Sequence, residues 1–436
     1  MRLEQTVQYS SRSDIGLRRR NNQDSCVVQI CTDREEWKNH GHLFMVADGM
    51  GGHAAGELAS KMAVDTIPHT FFKSRDLSIK EALKKAIVIA NNSINRRGTE
   101  NPDFERMGTT CTTLVLSPRG AIVGHVGDSR CYRIREGQID QLSFDHSLQW
   151  ELIRRGKMKP EEVFMTEPRH VITRSLGPDP VVEVDVEGPY PTIPGDIYLL
   201  CSDGLTGHVQ DEEIGAIVSQ LPIGEACRLL INLANVRGGS DNVTVIIAKV
   251  GALPEGTPSE DEEEAITPEQ RKRGIFWLVA AWILAILFVV GVSLTVLGEK
   301  LPGAISIALS VILSGALFFF WNRTRQAYSA KNNNLDETVS SKPYRSASAR
   351  LTPKFLSHLA AVESELYQTI QEENWTVNQK ELNDAYEKSK KGLSEKNYSV
   401  AMRQFARAID IMMEGMNNYR KQINHDSKWK EDDSTS

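Results

Sequence analysis

Three short acidic motifs, each opening or closing an apolar run, constrain the first 250 residues of this 436-residue chain more than any other feature. They are Val46-Ala47-Asp48-Gly49-Met50-Gly51-Gly52-His53, Cys201-Ser202-Asp203-Gly204 and Gly238-Gly239-Ser240-Asp241-Asn242-Val243. Strand ends that each carry one carboxylate can converge on a single cleft and hold hard divalent cations through oxygen. One Asp-Gly alone reads as a turn. Three such sites, joined by Asp24 and Asp128 on similar boundaries, point instead to hydrolytic chemistry on a phosphate.

The runs around these motifs are short and β-rich: Leu43–Ala47, Cys111–Leu116, Ala121–Val126, Cys131–Arg135, Asp196–Cys201 and Val243–Val250, broken by Gly, Asp or Ser. Arg135-Glu136-Gly137-Gln138 reads as a hairpin turn. Two stretches have helical spacing. One starts near Gly56 with Leu58, Met62 and Ala63 on one face; the other follows Ser78 as a cap, with Ala82, Leu83, Ala86, Ile87, Ala90 and Ile94 inward. Helices grouped between runs of strands favour layered sheets flanked by helices, an α+β domain over residues 1–250.

The net charge of −6 and the absence of a long Lys/Arg run argue against a nucleic-acid partner. All six cysteines lie before residue 228, none in a Cys-x-x-Cys pair, and they read as small reduced apolar residues. Met1–Ser13 is polar and has no signal-peptide core.

Beyond the first domain the composition shifts. Residues 251–274, with Glu260-Asp261-Glu262-Glu263-Glu264, read as an acidic linker. Ile275–Val296 and Gly303–Trp321 are uncharged runs, and residues 275–321 read as a two-helix transmembrane hairpin. Arg271, Lys272 and Arg273 before it, and Arg323, Arg325 and Lys331 after it, place both large parts in the cytoplasm by the positive-inside rule. The expectation is a multi-pass cell-membrane protein. Residues 322–350 read as a polar linker. Residues 351–436 read as an all-α module, starting at Thr352-Pro353 and carrying Phe355, Leu356, Leu359, Val362, Leu366 and Ile370 at helical spacing. Tyr398, Ala401, Phe405 and Ala408 are spaced like the second helix of a tetratricopeptide repeat. Such a module suits docking of a protein partner or self-association.

Eight segments occur in order: Ser13-Asp14-Ile15-Gly16, Arg19 with Asn22-Gln23-Asp24, Asp48-Gly49-Met50-Gly51-Gly52-His53, Gly108-Thr109-Thr110, Val126-Gly127-Asp128-Ser129-Arg130, Asp145-His146-Ser147, Ser202-Asp203-Gly204 and Gly239-Ser240-Asp241-Asn242. Together they resemble the metal-dependent serine/threonine protein phosphatase family, type 2C class, in its bacterial form. The resemblance covers residues 5–250. It implies an αββα sandwich holding two Mn²⁺ or Mg²⁺ ions, with a third, weaker site in bacterial members. By motif, Asp48 would bridge both ions and the Gly49 carbonyl would touch the second. Asp203 and Asp241 would hold the first, Asp24 an ion-bound water, and Asp128 with Asp203 the third. Arg19 would bind the substrate phosphate and His53 would protonate the leaving oxygen, while His146 would have a structural part in its loop. Gln23 stands where many relatives have Glu. Leu148–His170 takes the place of the family's flap.

The implied activity is dephosphorylation of phosphoserine and phosphothreonine in proteins, opposing a cognate Ser/Thr kinase. Two alternatives are a hydrolase of small phosphoesters and a catalytically silent, membrane-tethered binding module. Retention of Arg19 and all of the aspartates argues against the silent form.

Overall fold

The computed structural model describes residues 6–52, 54–156, 171–251, 342–373 and 375–433, with short pieces between 286 and 314. The chain divides into two compact units, Met1–Thr257 with Ser341–Ser436, and Pro258–Ser340.

The first unit is built on two antiparallel sheets. One comprises β1 (Val7–Asp14), β7 (Arg130–Arg135), β8 (Gln138–Gln141), β10 (Ile197–Cys201), β11 (Val243–Val250) and β12 (Arg345–Ser348), in the order β1-β11-β10-β7-β8-β12. The other runs β2 (Asp24–Gln29), β3 (His42–Met50), β5 (Cys111–Ser117), β6 (Gly120–Val126) and β9 (Asp185–Tyr190), with β4 (Gly108–Thr109) on the end of β3. Burial on both faces follows from period-2 alternation. In β11, Val243, Val245 and Ile247 enter the helix-side core, while Ile246, Ala248 and Val250 enter the core between the sheets. In β3, Leu43, Met45 and Ala47 face the opposite helix layer and Phe44 and Val46 face the middle.

That outer layer is α2 (Ala55–Lys73) and α3 (Ile79–Glu100); α6 (Asp211–Gln220) and α7 (Ile223–Val236) cover the other sheet. The layering is therefore helix, sheet, sheet, helix, as the family resemblance implies. Short helices α1 (Arg34–Asn39), α4 (Leu148–Arg154) and α5 (Asp203–Thr206) sit in the connections. Ser78 caps α3 in a full capping box with Glu81, and all six residues expected inward are buried. On α2 the buried stripe is Ala59, Ala63, Ile67 and Phe71, whereas Leu58 and Met62 are only half-buried. Glu136 and Gly137 both take positive φ (50° and 78°), the twist that a two-residue hairpin requires.

The C-terminal segment belongs to the same unit. β12 adds to the free edge of β8, with Ser346↔Asp140 and Ser348↔Gln138 in register. α8 (Pro353–Glu373), α9 (Gln379–Ser394) and α10 (Tyr398–Asp433) follow. Phe355, Leu356, Phe405, Ile409 and Met412 share one continuous core with Ile214, Leu229 and Leu233 of α6 and α7. Gly392 of α9 lets α10 approach closely, since a Cβ there would meet the Ala401 backbone nitrogen at 2.9 Å.

The transmembrane hairpin, and with it the multi-pass membrane location, is overturned. Among the described residues no helix is long and apolar enough to cross a membrane. Most of the two apolar runs lies outside the described residues, as do the linker residues 252–274 and 322–341. Residues 342–350, expected as linker, instead carry β12.

Candidate active site

The acidic motifs meet where the two sheets end together. Antiparallel pairing of β2 and β3 sets Asp24 directly opposite Asp48. Like charges facing each other across a ladder are destabilising, so this register marks a place built for a compensating cation. Asp203 opens α5 just after β10, and Asp241 immediately precedes Asn242 and β11. Asp128 lies in the β6–β7 turn and is buried.

The field in the cleft is strongly negative. Burial pushes the Asp24 carboxyl up to about 7, with Thr244 and Ser202 hydrogen bonds opposing and Asp203 and Asp241 adding to the rise. Asp48 is pushed well up by burial and then by Asp24, Asp203, Asp128 and Asp241. Asp128 rises through burial, Asp203 and Asp145, against Arg130. Asp241 rises through burial and Asp203, with the Asn242 amide and Arg19 opposing. Two buried oxygens, Asp24 Oδ1 and Asp128 Oδ1, have no hydrogen-bond partner among the described residues.

These orphaned oxygens and mutually repelling carboxylates fit a hard divalent cation. Among the described residues no three His, Cys, Asp or Glu side chains converge closely enough to hold an ion by themselves. Carboxylate and carbonyl oxygens suit Mg²⁺ or Mn²⁺, with water filling the remaining positions.

Polar residues hold the strand ends in place. The Ser202 hydroxyl donates to Asp24 Oδ2 at 2.8 Å and accepts the Thr244 amide at 2.9 Å. The Asp48 amide donates to Thr110 Oγ1 (2.9 Å), and the Thr110 amide returns a bond to the Asp48 carbonyl (2.8 Å). Asn242 accepts the Gln23 amide and donates to the carbonyls of Ile15 and Asn21, tying three loops together. The sequence motif contained Asn242, but its partners lie more than 200 residues away, so nothing local revealed the role.

A Cβ on Gly49 would collide with the carbonyl oxygens of Gly56 and Gln23, and one on Gly204 with the Asn242 carbonyl, so neither position has room for a side chain.

Arg19 is in the cleft, half-exposed, with Nη2 on Asp241 Oδ2 at 2.8 Å and Nε toward the Ser240 carbonyl at 3.3 Å. His53 lies outside the described residues, as do residues 157–170 of the expected flap. His146 is fully buried. Its Nδ1 accepts the Gly127 amide at 3.0 Å, and its own amide donates to the Gly127 carbonyl at 2.7 Å, which fixes the turn carrying Asp128. With Nδ1 accepting, the ring proton sits on Nε2, 3.0 Å from Asp185 Oδ2. A further network missed by sequence joins Arg130 to Asp145 and the Tyr132 hydroxyl beneath the same turn.

Comparison with known proteins places these features in a family context. The protein phosphatase 2C family model matches residues 18–222. The serine/threonine protein phosphatase PstP of Mycobacterium tuberculosis is 35% identical over 255 residues, 57% of this chain but 46% of that protein's length. The protein phosphatase PhpP of Streptococcus pneumoniae is 34% identical over 248 residues, 56% of this chain and 98% of that protein. The crystal structure of the Mycobacterium tuberculosis phosphatase PstP/Ppp superposes with a TM-score of 0.51 at 34% identity, covering 56% of this chain and 99% of that one.

Proposed function

We propose, for a chain that belongs to the protein phosphatase 2C family, that it hydrolyses phosphoserine and phosphothreonine esters of proteins and so opposes Ser/Thr kinase signalling. The family is one of metal-dependent protein serine/threonine phosphatases, and the reading carries Mn²⁺ or Mg²⁺ as cofactor. The observation that carries it is the Asp24–Asp48 cross-strand pair facing Asp128, Asp203 and Asp241 in one cleft.

When bound, the divalent ions polarise phosphoryl oxygens and make water acidic enough to ionise near neutral pH. In this reading Asp48, the Gly49 carbonyl, Asp203 and Asp241 would hold them, with Asp128 at a further site. Asp24, fixed by the Ser202 hydroxyl, would accept a hydrogen bond from water in the cleft. Arg19 offers its planar fork to the substrate phosphate; its present bond to Asp241 keeps it aimed into the cleft. His53 is assigned the proton for the departing seryl or threonyl oxygen, on its position five residues after Asp48.

The test is hydrolysis of phosphoserine and phosphothreonine peptides by the full chain with Mn²⁺ or Mg²⁺, beside small phosphometabolites. Peptide turnover lost by several orders of magnitude in Asp241→Asn, with the fold intact, is expected. Preference for the small esters would move the assignment to a small-molecule phosphoesterase. A folded, metal-supplied chain that hydrolyses neither substrate class would leave a binding module.

A further inference from the structure

We propose that α10 is a strut that positions the phosphate-binding loop, with Arg420 as its positioning residue; this rests on the phosphatase reading above. α10 runs beside α7 in the same direction: Ser399 bonds Gln220 at the end of α6, and then along α7 Arg403 pairs with Glu225 at 2.9 Å and Asp410 takes both Arg228 (2.9 Å) and Asn232 (3.2 Å). The last link is Arg420 Nη2, which donates to the Leu17 carbonyl at 3.0 Å. From Ser399 to Arg420 the helix spans about 30 Å at 1.5 Å per residue.

Both rods reach the catalytic loops. α7 leads directly into Gly238-Gly239-Ser240-Asp241. Residues 16–19 ride on that loop: the amides of Leu17 and Arg18 both donate to the Gly239 carbonyl, at 2.9 and 3.1 Å, and Gly16 packs against the Asp241 carbonyl. The Leu17 side chain also packs on the core that includes Met412, Met413 and Met416 of α10. The loop carrying Arg19 is therefore held from one side by the Asp241 loop and from the other by α10. Arg420 is exposed, and the carbonyl it bonds belongs to Leu17, two residues before Arg19, so it acts on the site only through the loop.

R420A in the full chain should raise phosphopeptide KM and the inhibition constant of inorganic phosphate about 3- to 10-fold, because the lost bond loosens the loop rather than a substrate contact, with kcat within about twofold. R420K retains a donor and should restore most of the affinity. In an R19A background R420A should add nothing, because the residue it positions is gone. Hydrogen exchange at the Leu17 and Arg18 amides should be faster in R420A whether or not the enzyme turns over. Unchanged KM and unchanged exchange would overturn the proposal, as would an equal rise in KM with Arg19 absent. If the wild-type chain hydrolysed no phosphopeptide, the phosphatase reading would fail, and the exchange measurement alone would still decide whether α10 holds the loop.

Discussion

Removing the charge of Asp24 should flatten the pH dependence of stability in the metal-free protein. Asp24 is buried, faces Asp48 across the β2–β3 ladder, and titrates at about 7 in place of 3.8. A carboxyl whose folded pKa is raised binds its proton more tightly in the fold than in the unfolded chain. Its contribution to stability is therefore fully present below about 4 and is lost as pH rises through 7. A shift of about 3 units at 1.36 kcal/mol each corresponds to at most about 4 kcal/mol. At roughly 2 °C per kcal/mol for a domain of this size, the chelated wild type should melt up to about 8 °C lower at pH 8 than the Asp24 contribution alone would give at pH 4.

The assay is thermal unfolding of wild type and Asp24→Asn in chelator from pH 4 to 8. Asparagine can still accept the Ser202 hydroxyl, so the difference between the two curves isolates the charge. Above pH 7 the variant should be the more stable, and below pH 4 the two should agree. Manganese at 100 times its dissociation constant should add about 2.7 kcal/mol to the wild type and narrow the difference. Superimposable chelated curves would mean that the Asp24 carboxylate is not held against its neighbours, and the metal-site argument would lose its electrostatic basis.

Three further outcomes are expected. Gly49→Ala should cost more than about 3 kcal/mol, because the new methyl meets two backbone carbonyls that cannot rotate away; a melting temperature within a degree or two of wild type refutes it. Glu363 is buried inside the C-terminal helices and pushed up to about 7 by burial, with Lys390 opposing, so its contribution is lost as pH rises through 7. Glu363→Gln should remove that loss equally with and without manganese, unlike Asp24→Asn; a gain confined to chelated protein would contradict the placement. Deleting residues 343–436 should expose the apolar faces of α6 and α7 and bare the β8 edge, lowering melting temperature and increasing binding of a hydrophobic dye. A truncated protein as stable as the full chain would show that the shared core contributes little.

Much of the layered domain was legible because its signals are local. The β11 run Val243–Val250 matched residue for residue, and the Ser78 cap and α3 face needed only 3.6-residue spacing and a Glu three positions on. On α2 the pattern misled by one position, since alanines rather than the larger Leu58 and Met62 line the stripe that packs on β3. Small residues carry a weak hydrophobic signal, yet close helix–sheet packing selects them. The aspartates stood out for a different reason: each lies at or near a strand end, and Asp48, Asp128 and Asp203 stand directly beside a glycine, a combination that core packing alone does not generate.

What the sequence hid was long-range. Arg345–Ser348 is one arginine followed by three small residues and has no hydrophobic stripe, so as an isolated segment it is indistinguishable from a linker. It becomes a strand because β8 offers unpaired backbone groups and because Tyr344, bonded to Glu187 and set 5.4 Å from the Phe144 ring, fixes its entry. The helical module was visible as helices, but the pattern could not say which face met the catalytic domain. The answer lies in polar pairs such as Arg403–Glu225 and Arg228–Asp410, separated by almost 180 residues. Those pairs contribute little stability individually at a half-exposed seam. Their consequence is register: they set how α10 is aligned along α7, and so which carbonyl of the Arg19 loop Arg420 can reach.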